Sequence, residues 1–275
     1  MLATRRLSRI RWWATIKPIE PVANHDTTHE LTMKGANIGY AASLTHVREV
    51  SLFGTADLAF WKHRLDPEGL IPAEKHGKAR LMIIAADAKF MGIRFNELSF
   101  SVLVADHSGQ HGAFLVQAFN SSRLFACCER VIFSTPYTHG DVRVSAAFPP
   151  SVRLTKDGSV VFLAEMKSDA AAPGRAPTRS EEDGWEGPVF LPSIRNGKRR
   201  SAKWFFAKIR GHTETYPFLN SHDTLMIYPS PRSEILQALI DSQFTAIEWA
   251  VRADAMHAKS KTYDRSELSV RVAGL

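Results

Sequence analysis

The sequence predicts an α+β fold that consists mainly of antiparallel β-strands. Short runs of apolar or alternating residues recur along the chain, and Gly, Asp, Asn or Pro bounds each of them. Because no helical pattern separates each pair of runs, an antiparallel sheet or barrel is favoured over a doubly wound parallel sheet. The chain has 275 residues, of which 44% are hydrophobic, and this is enough for a packed core.

The first half of the chain predicts an arm, a helix and then strands. Residues 1–42 are predicted to form an extended or partly disordered basic arm, because they lack clear periodicity. From Ala56 to Leu65 the apolar residues have helical spacing, which ends at Asp66-Pro67. Strands are then predicted at five places: 79–85, 98–105, 112–119, 142–147 and 159–166.

The second half begins with a predicted mobile loop at residues 168–187, where Ala, Pro, Gly, Arg, Ser and Glu dominate. A helix is predicted to begin at Ser230-Pro231 and to lay an apolar stripe, from Ile235 to Val251, across the sheet. Between them, strands are predicted at four places: 189–194, 202–211, 213–218 and 224–228. The domain is predicted to span residues 43–263 and to be followed by a tail, residues 264–275.

The basic charge of the chain does not indicate a nucleic-acid partner. Much of the net charge of +7 lies in the N-terminal arm and in residues 195–203. The second cluster contains the turn signal Asn196-Gly197, so we interpret it as a solvated hairpin tip, with phosphate binding as the alternative. Aromatic residues do not alternate with these charges, as they do in nucleic-acid-binding proteins, but fall inside the next strand.

The location and redox setting are constrained more loosely. No apolar run is long enough to cross a bilayer, so we expect no membrane partner. We predict a cytoplasmic location, with mitochondrial import as the alternative because the first 19 residues are Arg-rich and lack acids. The adjacent Cys127 and Cys128 are predicted to be small core residues on a strand, with a reactive thiol as the alternative.

Three local patterns place ionisable side chains beside predicted strands. His46-Val47-Arg48-Glu49 leads into an apolar run and is either a surface ion pair or part of a site. Glu97 begins another apolar run; if buried, its carboxyl has a raised pKa and transfers protons near neutral pH, whereas a solvated carboxylate is only an edge charge. Residues 130–140 form either a polar turn or a site on a loop. This last segment contains the polar residues Arg130, Tyr137, Thr138 and His139.

In their order and approximate spacing, these patterns resemble the acetoacetate decarboxylase family over most of residues 43–263. His46-Val47-Arg48-Glu49 is similar to that family's His-x-Arg-Glu segment, whose arginine lines the active site. Glu97 lies where the family's Tyr-x-Glu-Ser segment has a catalytic-site glutamate, and residues 130–140 are similar to a segment in which a proline precedes two lysines. The resemblance implies a cone-like antiparallel β-barrel with flanking helices, a small-molecule cavity and a homo-oligomer.

The departures from the family pattern affect the chemistry. The first of the two family lysines forms a Schiff base, and the second lowers its pKa. Tyr137 and Thr138 occupy these positions here, and a tyrosine cannot form an imine. A second family carboxylate falls on Ile83 or Ile84. As substitute amines we considered three lysines, none supported by its spacing: Lys89, Lys203 and Lys208.

Two functional hypotheses follow. The first is an enzyme that uses proton transfer without an imine to isomerise, dehydrate, cyclise or decarboxylate a carbonyl or carboxylate compound. Arg48 would hold an anionic group, Glu97 would act as general acid or base, and Tyr137 would stabilise an enolate oxygen. His139 would assist, and Arg130 and Thr138 would contact the substrate. We expect no metal and no organic cofactor. The second hypothesis is a binding protein that kept the cavity and lost the chemistry.

Overall fold

The structure is a computed structural model that describes residues 32–33, 36–37, 39–107, 109–167, 175–195, 198–231 and 233–267. Three α-helices are present in this part of the chain: α1 (Leu58–Leu65), α2 (Arg123–Val131) and α3 (Glu234–Asp241). The strands of the first half are β1 (Thr32–Met33), β2 (Ala36–Asn37), β3 (Tyr40–Asp57), β4 (Leu70–Pro72), β5 (Glu74–Lys75), β6 (Lys78–Phe90), β7 (Ile93–Asp106), β8 (His111–Asn120), β9 (Tyr137–His139), β10 (Asp141–Ser145), β11 (Ser151–Lys156) and β12 (Ser159–Glu165).

The strands of the second half are β13 (Arg179–Leu191), β14 (Ile194–Arg195), β15 (Lys198–Arg199), β16 (Lys203–Pro217), β17 (Thr224–Ile227), β18 (Thr245–Ser260) and β19 (Tyr263–Asp264). Short 3-10 helices lie at Asp66–Glu68 and Arg265–Glu267. None of the helices in the described ranges is long and apolar enough to span a membrane.

Seven of the strands form a closed ring. They follow one another in the order β7, β6, β3, β18, β16, β13 and β8, and β8 pairs with β7 to complete the circuit. Six of the seven junctions are antiparallel, while β13 and β8 run parallel and pair through only two positions, Val189 with Ala113 and Phe190 with Phe114. This mainly antiparallel α+β architecture agrees with the predicted cone-like barrel.

Alternation along the ring strands separates a packed face from a cavity face. On β6, Leu81, Ile83 and Ala85 belong to the main hydrophobic core, whereas Met82, Ile84 and Ala86 line a cavity. A second sheet of β10, β11, β12 and β17 covers the packed face. The contact is illustrated by Phe100 of β7, whose ring meets Phe162 of β12 edge to face at 5.4 Å between centroids.

Helices α1 and α3 flank the ring, and their ends follow the sequence. The Asp57 carboxylate caps α1 by accepting a hydrogen bond of 2.6 Å from the Phe60 amide, and the helix ends just before Asp66-Pro67, as predicted. Four apolar residues of α3 are buried in the main core, namely Ile235, Leu236, Ala238 and Leu239. The turn signal Asn196-Gly197 is followed and preceded by strands that pair with each other, β14 and β15, as expected for a hairpin.

The long C-terminal helix predicted from the apolar stripe is wrong beyond Asp241. Helix α3 ends there, Gln243 adopts a left-handed φ of 53°, and residues 245–260 form β18 between β3 and β16. Spacings of three and four residues mimicked a helix, although the stretch is rich in aromatic and β-branched residues. The two neighbouring strands satisfy its backbone, a long-range effect that local spacing does not encode.

Three further predictions are corrected. Of the predicted loop 168–187, residues 168–174 lie outside the described residues, but 179–187 form the polar first half of β13 and pair with β16. The strands predicted at 202–211 and 213–218 are one strand, β16, with an irregularity after Gly211. Cys127 and Cys128 lie on α2 rather than on a strand, and Cys127 is exposed.

The outer boundaries also differ from the prediction. Strand β3 begins at Tyr40, inside the predicted arm, and β11 was not predicted. At the C-terminus, the Arg265 guanidinium lies 4.6 Å from the Phe190 ring centroid, so the predicted tail begins with packed residues. The basic segment 1–31 lies outside the described residues.

Glycine is required where β8 meets β13. A Cβ atom on Gly112 would lie 2.4 Å from the Pro188 carbonyl oxygen, a backbone atom that cannot rotate away. We therefore expect Gly112→Ala to lower the free energy of unfolding by about 1–3 kcal/mol, the usual cost of overpacking. Urea unfolding monitored by tryptophan fluorescence measures this change. Gly39→Ala, where nothing lies within 4 Å, is the control; equal stability of the two variants would contradict the prediction.

Candidate functional site

All seven strands of the ring contribute to the lining of a cavity of about 640 Å³. This volume falls within the range of pockets that hold drug-sized ligands, roughly 300–1,000 Å³. Most of the wall is apolar, with side chains such as Ile84, Phe95, Leu115 and Phe205. Polar and charged side chains come mainly from β7, α2, β9 and β18, so chemistry is possible at only part of the wall.

Glu97 and Tyr137 meet in this cavity, as the sequence hypothesis required. Glu97 is on β7, in register with Ala86 of β6 and Asn120 of β8. Tyr137 begins β9, which pairs with the other edge of β8, opposite Ala118. The Tyr137 hydroxyl donates a hydrogen bond of 2.5 Å to Oε1 of Glu97. An O–H···O bond this short is typical of a charge-assisted pair.

Burial sets the protonation of this pair. Desolvation raises the pKa of Glu97 above its ordinary value of 4.5, and nearby Glu129 adds to the rise, while the hydrogen bond from Tyr137 and the neighbouring side chains of Lys259 and His257 oppose it. Burial also raises the pKa of Tyr137 well above 10, helped by Glu97 and Glu129. The phenol is therefore a proton donor at any physiological pH, and Glu97 is suited to exchange a proton closer to neutrality.

A second ion pair, between Glu129 and Lys259, lies beside the first. The Lys259 ammonium contacts the Glu129 carboxylate, which also accepts a hydrogen bond of 2.8 Å from the Thr135 hydroxyl. The same ammonium lies 4.7 Å and 4.6 Å from the ring centroids of Phe133 and Phe205 and 5.8 Å from that of Tyr137. Aromatic faces and one carboxylate thus hold a cation near the phenol.

The third polar group is a buried network that holds His257 at the cavity wall. Nε2 of His257 lies 2.7 Å from Oε2 of Glu49. The other carboxylate oxygen, Oε1, accepts hydrogen bonds from Arg252 and, at 2.7 Å, from the Ser51 hydroxyl. Burial alone would raise the pKa of Glu49, but Arg252, His257 and Ser51 outweigh it and lower the pKa to about 2. Glu49 is therefore ionised at neutral pH, and its carboxylate orients His257.

Four predicted site residues lie away from the cavity. Arg48 is opposite Asp87 in the β3–β6 register and forms an ion pair of 2.5 Å with it. Asp87 also forms an ion pair with Arg94. Arg48 is half-exposed and does not line the cavity, so the geometry does not support its predicted role as the anion-binding group. The side chain that alternation turns inward from this segment is Glu49.

The remaining three residues come from the segment around Tyr137. Arg130 is exposed on α2, and His139 is exposed at the end of β9. Thr138 points away from Tyr137 because successive strand residues face opposite sides, and its hydroxyl is buried without a hydrogen-bond partner. None of the three lines the cavity, so their predicted contacts with a substrate are not supported by the geometry.

The lysines considered as substitute amines have other partners or positions. Lys208 borders the cavity and forms an ion pair of 3.1 Å with Glu186. Lys203 donates to the Ser134 hydroxyl at 3.3 Å, and Lys89 is exposed on β6. Lys259 was missed because residues near it were interpreted through the helical stripe; the alternation of His257 and Lys259 on a strand was the available signal. Ile84, one of the two residues at the lost family carboxylate, lines the cavity.

The site offers an acid–base pair, a hydroxyl donor and an ammonium inside an apolar wall. Such a group can remove a proton beside a carbonyl and stabilise the resulting enolate. Within the described ranges, no group of three or more His, Cys, Asp or Glu side chains is arranged to hold a metal ion.

Comparison with solved structures identifies the fold. The chain superposes on an acetoacetate decarboxylase from Legionella pneumophila with a TM-score of 0.58 and 13% identity, covering 95% of this chain and 99% of that one. A second structure described as acetoacetate decarboxylase gives a TM-score of 0.56 and 14% identity, over 81% and 88% of the two chains.

A third similar structure has a different described activity. The enduracididine biosynthesis enzyme MppR, solved with the condensation product of pyruvate and imidazole 4-carboxaldehyde, gives a TM-score of 0.55 and 12% identity over 86% of this chain and 94% of that one. No protein-family model matches the sequence. No curated protein matches it either. The chain therefore has the acetoacetate decarboxylase-like fold, at 12–14% sequence identity to these three solved structures.

Proposed function

We propose that this protein is an enzyme that moves protons on a carbonyl compound without forming an imine. The observation that carries the proposal is the 2.5 Å hydrogen bond between Tyr137 and Glu97, enclosed in an apolar cavity where burial raises the pKa of both groups. A carboxyl and a phenol in this arrangement recur where an enolate oxygen must be stabilised in an apolar site. The solved relatives of the fold support a small-molecule enzyme.

The proposed chemistry assigns one role to each group. A substrate carbonyl oxygen takes the hydrogen bond that the Tyr137 hydroxyl gives to Glu97 in the free protein. The released Glu97 carboxylate removes a proton from the carbon beside the carbonyl, the electron pair moves to the oxygen, and Tyr137 donates to the enolate. Return of the proton from Glu97 to another carbon of a conjugated enolate completes an isomerisation. In a substrate with a β-hydroxyl, the enolate electron pair expels the hydroxyl, which takes the proton from Glu97 and leaves as water, so a dehydration gives the unsaturated carbonyl compound.

Lys259 replaces Arg48 in this proposal as the group that attracts negative charge. Its side chain forms an ion pair with Glu129, and a lysine held as an ammonium in such a pair has no lone pair with which to attack a carbonyl carbon. The ammonium lies near the rings of Tyr137, Phe133 and Phe205. From there its positive charge stabilises the enolate electrostatically, without direct contact.

Hydrogen–deuterium exchange at carbon tests the proposal without knowledge of the natural substrate. We expect the protein to accelerate exchange of the α-protons of ketones and 3-oxo acids in D₂O, measured by proton NMR. In parallel, borohydride is added with each ketone, and the intact mass is measured. A covalent adduct that Lys259→Met abolishes would overturn the non-imine mechanism, and absence of exchange across the panel would overturn the enzyme.

A binding protein is the second candidate, favoured by the largely apolar wall of the cavity. The binding-protein hypothesis predicts that ligands bind but that their α-protons do not exchange. It does not explain why Glu97 and Lys259 lie near one another in the cavity. Assembly as a homo-oligomer and a cytoplasmic or mitochondrial location remain predictions from the sequence.

A further inference from the structure

The size of the cavity is out of proportion to a small keto acid. A cavity of about 640 Å³ has room for a ligand of drug size, whereas the polar groups occupy one region of its wall. An apolar region of this size is poorly suited to ordered water, because water needs two to four polar partners. The space beyond the polar groups is therefore suited to an apolar part of the ligand.

The position of the polar groups along β7 gives the length of that space. Phe95, Glu97, Ser99 and Ser101 line the cavity in succession. At about 3.3 Å per residue, the wall continues for roughly 13 Å from Glu97 to Ser101. The residues beside Ser101 on the neighbouring strands are apolar, since its cross-strand partners are Met82 and Leu115. The Ser99 hydroxyl donates a hydrogen bond of 3.4 Å to the Ile84 carbonyl oxygen. Its donor is therefore directed to the strand backbone rather than to the cavity.

The opposite end of the cavity has an apolar rim. Four residues that line the cavity are exposed to solvent, namely Met91 and Ile93 at the β6–β7 turn and Leu124 and Ile132 on or beside α2. Met91 is 84% exposed and Ile132 is 67% exposed. Grouped apolar side chains on a surface mark a site of contact with an apolar molecule. This rim provides an entry path that does not require an apolar chain to cross a polar surface.

We propose that the substrate is a ketone or 3-oxo acid that carries an unbranched apolar chain of about ten carbons. This inference rests on the proposed function. The carbonyl lies at Glu97 and Tyr137, and the chain extends along β7 towards Ser101. The chain length follows from the roughly 13 Å of wall and an advance of about 1.3 Å per carbon, for C–C bonds of about 1.5 Å.

Binding of methyl ketones of increasing length tests the proposal. Titration of the full chain with the series from butanone to tetradecan-2-one is followed by the fluorescence of Trp185, which lines the cavity, or by calorimetry. We expect Kd to fall about fourfold for each added methylene, the equivalent of about 0.8 kcal/mol, and to level off near dodecan-2-one, which has about ten carbons beyond its carbonyl. A Kd that does not change with length, or that rises, would overturn the proposal.

Variants locate the chain in the cavity. Ile84→Trp fills the deep half, so the fall in Kd is expected to end at a shorter ketone. Met91→Lys at the rim is expected to slow the association of decan-2-one, measured by stopped-flow fluorescence, while Ile71→Lys is the control, because Ile71 is an exposed isoleucine on β4 that does not line the cavity. Equal effects of the two lysine variants would count against the rim as the entry path and overturn that part of the proposal.

The two proposals fail separately. α-Proton exchange with no dependence of affinity on chain length overturns the substrate class and leaves the enzyme standing. Affinity that rises with chain length, without exchange of any ketone in the series, overturns the proposed enzyme and supports the long-chain compound as the ligand of a binding protein.

Discussion

Tyr137→Phe is expected to lower the rate of α-proton exchange by about 10²–10³-fold, the usual cost of removing one donor to an enolate or oxyanion. The substitution removes a single oxygen and keeps the ring, which packs with Leu115, Val189 and Phe205. Stability should therefore change little. The rate is measured by NMR in D₂O with the best ketone of the panel, and Glu97→Gln is expected to reduce it by about 10²–10⁴-fold.

The control is a second tyrosine–glutamate pair outside the cavity. The Tyr216 hydroxyl donates a hydrogen bond of 2.7 Å to Glu214, so Tyr216→Phe removes the same group from the same kind of bond and should leave exchange unchanged. Tyr137→Phe with more than half of the wild-type rate would exclude the phenol from the chemistry.

The pH dependence of the exchange rate tests independently whether Glu97 is the base. Exchange requires ionised Glu97, so the rate is expected to rise with pH through the pKa of this carboxyl, which burial places above 4.5. The hydrogen bond from Tyr137 lowers that pKa. Tyr137→Phe should therefore move the rising limb to higher pH, in addition to lowering the plateau.

Glu49→Gln is expected to lower the free energy of unfolding by about 3–5 kcal/mol, since removal of one partner leaves a buried charge uncompensated. Glu49 is fully buried, and Arg252, its main partner, has a side-chain exposure of only 3%. The amide keeps the shape of the carboxyl but not the charge that Arg252 needs. Chemical denaturation at pH 7 measures the change.

An exposed ion pair is the matched control. Arg64 and Glu234 lie 3.3 Å apart, with Glu234 89% exposed, and Glu234→Gln should cost at most about 1 kcal/mol. If Glu49→Gln costs no more than Glu234→Gln, the buried network does not stabilise the fold.

Acid should have a related effect. The pKa of Glu49 is about 2 in the folded protein and takes its ordinary value of 4.5 in the unfolded chain. As the pH falls, the unfolded chain therefore binds this proton before the folded protein does. The stability contributed by this group is complete above pH 4.5 and is lost as the pH falls from 4.5 towards 2. The loss should be smaller in Glu49→Gln.

Local sequence was sufficient for most strands, but it left the central pair open. Glu97 and Tyr137 were assigned to a site through the resemblance to the acetoacetate decarboxylase family, and the geometry brings both to one cavity. Arg48 was misplaced by one residue of strand alternation: β3 turns Glu49 inward and leaves Arg48 against Asp87. Which face of a strand is buried depends on its neighbours, so the segment alone left the choice open.

Residues of β18 were missed for a different reason. Their apolar spacing fits a helix and a strand equally well over a few turns. Only pairing with β3, at the other end of the chain, and with β16 decides the matter, and this pairing carries His257 and Lys259 to the cavity. The charged half of the site thus depends on tertiary contacts between segments about 200 residues apart in sequence, as in the bond between His257 and Glu49, whose positions differ by 208.

The ring of seven strands has a consequence of parity. An odd number of strands cannot alternate up and down around a closed circuit, so at least one neighbouring pair must point the same way. In this protein that pair is β8 and β13. Strands that point the same way cannot be joined by a tight hairpin and need a long crossover. The crossover here is the stretch that contains α2 and β9, and from it come Glu129 and Tyr137. Because the ring has an odd number of strands, it requires this long connection, and the connection supplies Glu129 and Tyr137 to the polar site.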